Sequence, residues 1–250
     1  MAVKVKTQWW IIAGTFLGVV AVGVVTSLPP KEPVYQGRRL SSWIQAFRDG
    51  DDNHVAPAIH AVHALGSNAV PTLLRSLRVN DSVWKRTCAA TIAKLPAEWK
   101  SALPEVELSA WRVRARCASC LGDLGVLAAP AVPELIRALT DPAQAVRFSA
   151  AEAVGKIGVE PQLIVPVLTS VLHRDPDLEV RLQAVQALGR IGPRAQPALP
   201  VLLGILKSTN NPAWRDPVER CVSEAIWRID PTQTAGLVPV LLAQLRKNNE

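Results

Sequence analysis

Aromatic residues make up only 5% of this 250-residue chain. No stretch alternates apolar and polar residues for long enough to form a sheet strand, so a β-rich core is not expected. Local signatures of chemistry are missing as well. There is no G-x-S-x-G, no H-E-x-x-H and no phosphate-binding glycine loop, the arrangements that serve a nucleophilic serine, a catalytic zinc or a bound nucleotide. The four cysteines include one C-x-x-C, Cys117 and Cys120, and a zinc site normally needs a second such pair or histidines at matching spacing. One long apolar run, Trp9 to Leu28, contains no charge.

What the chain does contain is repeated helix. From Val180, the residues at offsets 4, 7, 8 and 11 are Ala184, Ala187, Leu188 and Ile191, one face of a 3.6-residue helix. The same offsets give Ala150, Ala153, Val154 and Ile157 from Val146, and Cys117, Cys120, Leu121 and Leu124 from Val113. Frames starting at His54, Trp84 and Val218 obey the template too. A second helix follows in each unit, opened by Pro71, Pro133, Pro166, Pro200 or Pro239, since proline suits a first turn where its missing N–H has no helical partner. Pro104 keeps this register, but only 9 residues separate it from Val113, against 14 between Pro166 and Val180. The helix it opens is therefore expected to be short or distorted.

Two helices per period of mostly 33 to 39 residues describe an α-solenoid, in which stacking of units supplies the core that no single unit can bury. Small residues at offsets 4 and 7 let neighbouring helices approach closely. The motif DPxxxVRxxAxxALGxIG, as in Asp175–Gly192, resembles HEAT repeats, in particular the short HEAT-like units of the phycobilisome-lyase type. The resemblance covers roughly residues 40–245. The expected fold is all-α, an α-solenoid of about six HEAT-like helix pairs preceded by one transmembrane or signal helix.

Four segments follow: a basic tail (1–8), an apolar segment (9–28), a proline-rich extended linker (29–39) and the repeat domain (40–250). About 20 apolar residues suffice to cross a bilayer, and Trp9-Trp10 stands where an interfacial aromatic pair belongs. Lys4 and Lys6 give the layout of a signal sequence. Both an uncleaved anchor and an exported product fit, the first favoured by the length of the run. Either places the repeat domain outside the cytoplasm, because long domains after a short basic tail translocate largely regardless of charge. Leu40, Trp43, Ile44 and Phe47 form an apolar stripe suited to cap the first unit.

Candidate site residues fall into three groups. Arg147 and Arg181, with Arg114 equivalent, recur one residue after the helix start, and Asp141 and Asp175 recur beside them. The resemblance to HEAT repeats implies that they form a ladder tying neighbouring units. Offset 10 carries Lys94, Lys156, Arg190 and Arg228. In HEAT-like solenoids the second helices line the concave face, so this broken basic stripe would border the groove. With a net charge of +7 it suits an acidic partner surface; compensation of helix dipoles explains it equally well. Trp227, beside Arg228, would anchor a contact or pack on the last helix. His60 and His63 are i,i+3 neighbours off the buried face. They lack a locally fixed third metal ligand and read as solvated surface or partner contact. Cys117 and Cys120 occupy core offsets and read as small core thiols.

The expected function is a non-enzymatic scaffold, membrane-tethered through residues 9–28 or exported, that holds a protein partner with an acidic surface and needs no cofactor. Two alternatives stand beside it. The resemblance to phycobilisome-lyase units implies a bilin lyase or isomerase, and the basic stripe permits a nucleic-acid-binding solenoid, which an export signal disfavours.

Overall fold

A computed structural model describes residues 32–48, 52–82, 87–88, 90–92, 94, 109–207 and 216–233. The apolar run at 9–28 and the helix expected after Pro239 lie outside the described residues. Among those described, no helix is long and apolar enough to cross a membrane. Residues Pro33–Glu250 cluster as one unit, separate from Met1–Glu32.

The part of the linker expected to be extended instead closes into a small hairpin. Strand β1 (Val34–Tyr35) pairs antiparallel with β2 (Arg38–Arg39), Val34 opposite Arg39. The turn needs two left-handed residues, Gln36 at φ 48° and Gly37 at φ 74°, the geometry of a tight two-residue hairpin. Helix α1 (Leu40–Ile44) and the 3-10 turn Gln45–Arg48 follow directly. They bury Leu40, Ile44 and Phe47, while the Trp43 indole donates to the Tyr35 carbonyl at 3.2 Å.

First helices of the repeats are all 14 residues long: α2 (Asp52–Leu65), α4 (Ala110–Asp123), α6 (Gln144–Ile157), α8 (Leu178–Ile191) and α10 (Asp216–Ile229). Second helices are α3 (Val70–Leu77), α5 (Val132–Ala138), α7 (Pro161–Arg174) and α9 (Leu199–Lys207). In three units a 3-10 segment starting at glycine joins the pair: Gly66–Ala69, Gly125–Ala131 and Gly192–Ala198. The fourth joint differs. Helix α7 begins at Pro161, five residues before the expected opener, so Pro166 sits inside the helix on an exposed position. The core is the predicted face: Val113, Cys117, Cys120, Leu121, Ala150, Ala153, Val154, Ile157, Val180, Ala184, Ala187 and Leu188 are all buried.

Most of the unit framed on Trp84, and the helix expected after Pro104, lie outside the described residues. Helix α3 packs directly on α4, and α3 also meets α5. Arg78, just past α3, pairs with Glu134 of α5, and the Arg114 guanidinium of α4 donates to the Val79 carbonyl at 2.9 Å. The Ala110 amide bonds both carboxylate oxygens of Asp81 at 3.3 Å. Thr87, Thr91 and Lys94 are exposed, Cys88 and Ile92 only half-buried, and none belongs to the buried core. Among the described residues, the pair α2/α3 meets the pair α4/α5 directly.

Candidate functional site

The geometry of the joints decides which residues are available to a partner. First helices meet backbone to backbone. A methyl carbon placed on Gly122 would lie 2.8 Å from Ala153 Cα; on Gly155, 2.7 Å from Ala187 Cα; on Gly189, 3.1 Å from Ala225 Cα. Each glycine stands at offset 9 and each alanine at offset 7 of the next unit. Only glycine permits so close an approach, and this glycine position was not singled out from the sequence. The template for it was in plain view, in the C-L-G, A-V-G and A-L-G that end at Gly122, Gly155 and Gly189.

At the same offset, α2 carries His63 and α10 carries Trp227. Both are exposed, Trp227 by 57%. They occupy the two ends of the glycine series, where the tight approach stops. His60 is exposed on the same helix as His63, and among the described residues no group of three or more His, Cys, Asp or Glu side chains could hold a metal.

On the loop side, charges lock the units together. Arg114 forms two parallel bonds to Asp141, 2.8 and 2.9 Å long. Arg147 does the same with Asp175 at 2.7 and 3.1 Å, and reaches Asp177 as well. Each aspartate also caps the following helix, Asp141 accepting from the Ala143 amide at 2.9 Å and Asp175 from the Asp177 amide at 3.0 Å. Such fork-shaped, charge-assisted pairs are the strong ones, and the bond to Asp175 holds the Arg147 guanidinium in its charged form more firmly than usual. Arg181 binds the carbonyls of Asp175 and Pro176 at 2.7 and 3.3 Å. For α4, Val79 and Asp81 supply what Asp141 supplies for α6, across the intervening segment. A recess of about 410 Å3 opens beside this ladder, walled in part by Asp141, Arg147, Val167, Arg174 and Asp175; of these, Arg147 and Asp175 are paired with each other.

The offset-10 residues are brought into one row by three of the described helices, on the exposed edge of the first-helix layer. Lys156 bonds Asp123 of the preceding helix at 2.8 Å and Glu152 of its own at 3.0 Å. Partial burial works against its charge, but the two carboxylate bonds prevail and raise its pKa. Arg228 bonds Glu224 at 2.7 Å. Arg190 is exposed. Lys94 is exposed as well. The layer with the close spacing is the first-helix layer, whereas the second helices touch one another far less. The stripe thus sits on the exposed edge of the first-helix layer. Phe148 at offset 2 of α6 is exposed on that layer too.

Both cysteines of the C-x-x-C are buried. Burial pushes the Cys117 thiol well above its ordinary value and the Cys120 thiol up to about 12. Thiols held protonated are poor nucleophiles and poor metal ligands.

A family model described as HEAT repeats matches residues 100–165 and 159–223. No curated protein matches the sequence. Among solved structures, the chain is similar to one titled a crystal structure of an engineered protein, from the Northeast Structural Genomics Consortium. The two are 20% identical over 76% of this chain and 78% of that one, with a TM-score of 0.38.

Proposed function

With residues 100–223 belonging to the HEAT-repeat family, we propose that the chain is a non-enzymatic scaffold that holds a protein partner on its first-helix face. HEAT repeats in general present extended surfaces for protein interaction. The observation that carries the reading is the glycine-alanine contact at three successive joints. It makes the first-helix layer a rigid platform, and on that platform Phe148, Arg190 and Trp227 stand exposed. In any stack of paired helices, the layer with the closer spacing is the one that turns inward. The partner-facing side is therefore the first-helix layer.

The apolar segment Trp9–Leu28 and the lysines before it support tethering to the cell membrane as a single-pass protein, with the repeats on the extracytoplasmic side. The test is cross-linking and affinity capture with full-length protein in solubilised membranes, wild type beside Phe148→Asp. Phe148 is 36% exposed, so the substitution leaves the buried core intact. A protein held by the wild type and lost from the variant supports the reading. Equal recovery of every bound protein by both would remove this face from it.

A further inference from the structure

Among the joints between first helices, the one joining α8 to α10 has a charge arrangement unlike that joining α4 to α6. At the α4/α6 joint, the basic offset-10 residue Lys156 is held by two carboxylates. One comes from its own helix, Glu152, and one from offset 10 of the preceding helix, Asp123. At the α8/α10 joint the first of these is preserved, since Glu224 holds Arg228 from four residues earlier. The second is reversed in sign: the position of Asp123 is taken by Arg190. Two guanidinium groups cannot satisfy each other.

The structure leaves a recess of about 250 Å3 at this place, lined by Gln186, Gly189, Arg190, Cys221, Glu224 and Arg228, with Ala225 beneath Gly189. Gly189 and Ala225 both line it, and a methyl carbon on Gly189 would lie 3.1 Å from Ala225 Cα. Gln186 donates to the Cys221 sulfur across the gap at 3.4 Å, so the walls are already joined around the opening.

We infer that this recess is a carboxylate-binding site, in which an acidic side chain of the partner protein takes, between Arg190 and Arg228, the place that Asp123 fills beside Lys156. Asp123 is the template: the fold itself shows a carboxylate accepted at this register. A planar guanidinium offers a carboxylate paired donors, and Arg190 carries that group into the recess without being needed by the core. This site deepens the scaffold reading and rests on it for the identity of the ligand's owner.

Cys221 lies in the wall and serves as a reporter. Full-length protein is alkylated with iodoacetate, a carboxylate, and separately with neutral iodoacetamide. The rate at Cys221 is followed by peptide mass spectrometry, with half-buried Cys88 as internal reference. The ratio of the two rates should be higher at Cys221 in the wild type than in Arg190→Gln by about threefold, as expected for one favourable charge a few ångströms away in a solvated site. It should fall further in Arg190→Asp, where the new carboxylate pairs with Arg228 as Asp123 does with Lys156. The ratio at Cys88 should stay constant across all three proteins. Because Arg190 is exposed, thermal melting of the variants should match the wild type. An unchanged ratio at Cys221 in both variants would overturn the site. The scaffold reading fails separately, by the Phe148 capture experiment.

Discussion

Two joints of the stack, α4 on α6 and α2 on α4, solve the same packing problem in different ways. The first is built at every level for closeness. Gly122 presses on Ala153, Arg114 clamps Asp141, and Lys156 bridges to Asp123 across the surface. The second has His63 at the glycine position and Val55 at the arginine position. Its first helices touch only lightly, and α3 against α4 carries the contact instead. The ladder is patched from a different source, since Asp81 and the Val79 carbonyl reach α4 across residues 83–108. The comparison separates two functions that the repeat template merges. Buried apolar offsets make a helix pair, whereas glycine at offset 9 and the Arg–Asp fork make a joint.

The largest way to break the regular joint is Arg147→Ala. Arg147 and Asp175 are both 8% exposed, and removing one partner strands a buried charge, at a cost of about 3–5 kcal/mol. Chemical denaturation should show that loss as a lower midpoint. Next comes a pair of substitutions to alanine at the same register. Gly155→Ala drives a methyl group against the Ala187 backbone and should cost about 1–3 kcal/mol, against the usual helix-propensity gain of roughly 1 kcal/mol for replacing glycine. His63→Ala, at the exposed equivalent, should stay within about 0.5 kcal/mol. Equal effects at the two positions would erase the distinction between the joints.

The period, the helix pairing and the buried face could all be read from spacing, because apolar residues at 3.6-residue intervals record a helix's environment directly. Asp141, Arg147 and Asp175 were legible for a similar reason: a charged pair recurring at fixed spacing marks its own partner. The direct contact of α3 with α4 was not legible, because a template of offsets names a helix's buried face and not which neighbour covers it. The hairpin at 34–39 was hidden because its strands are two residues long, too short for alternation to show. The early start of α7 was hidden because Pro166 kept the register of other openers while Pro161, also in the sequence, did the opening. At the basic stripe, composition gave the signs of the charges but not their partners. Lys156 and Arg228 are engaged within the fold, which distinguishes Arg190 from them.

The central claim is that α3 packs directly on α4. The Ser76 side chain of α3 acts on the Cys117 thiol of α4, so the two stand near each other across the contact. The direct measurement is to make Ser76→Cys in the full-length protein, oxidise it mildly, and map disulfides by mass spectrometry. The account predicts an intramolecular bridge between position 76 and Cys117, formed without loss of the helical fold. Helix axes held farther apart than the roughly 8–10 Å of direct packing would keep the two Cα atoms beyond the separation of about 4.4–6.8 Å that a disulfide requires. Recovery of both cysteines unbridged, in folded protein, would contradict the account.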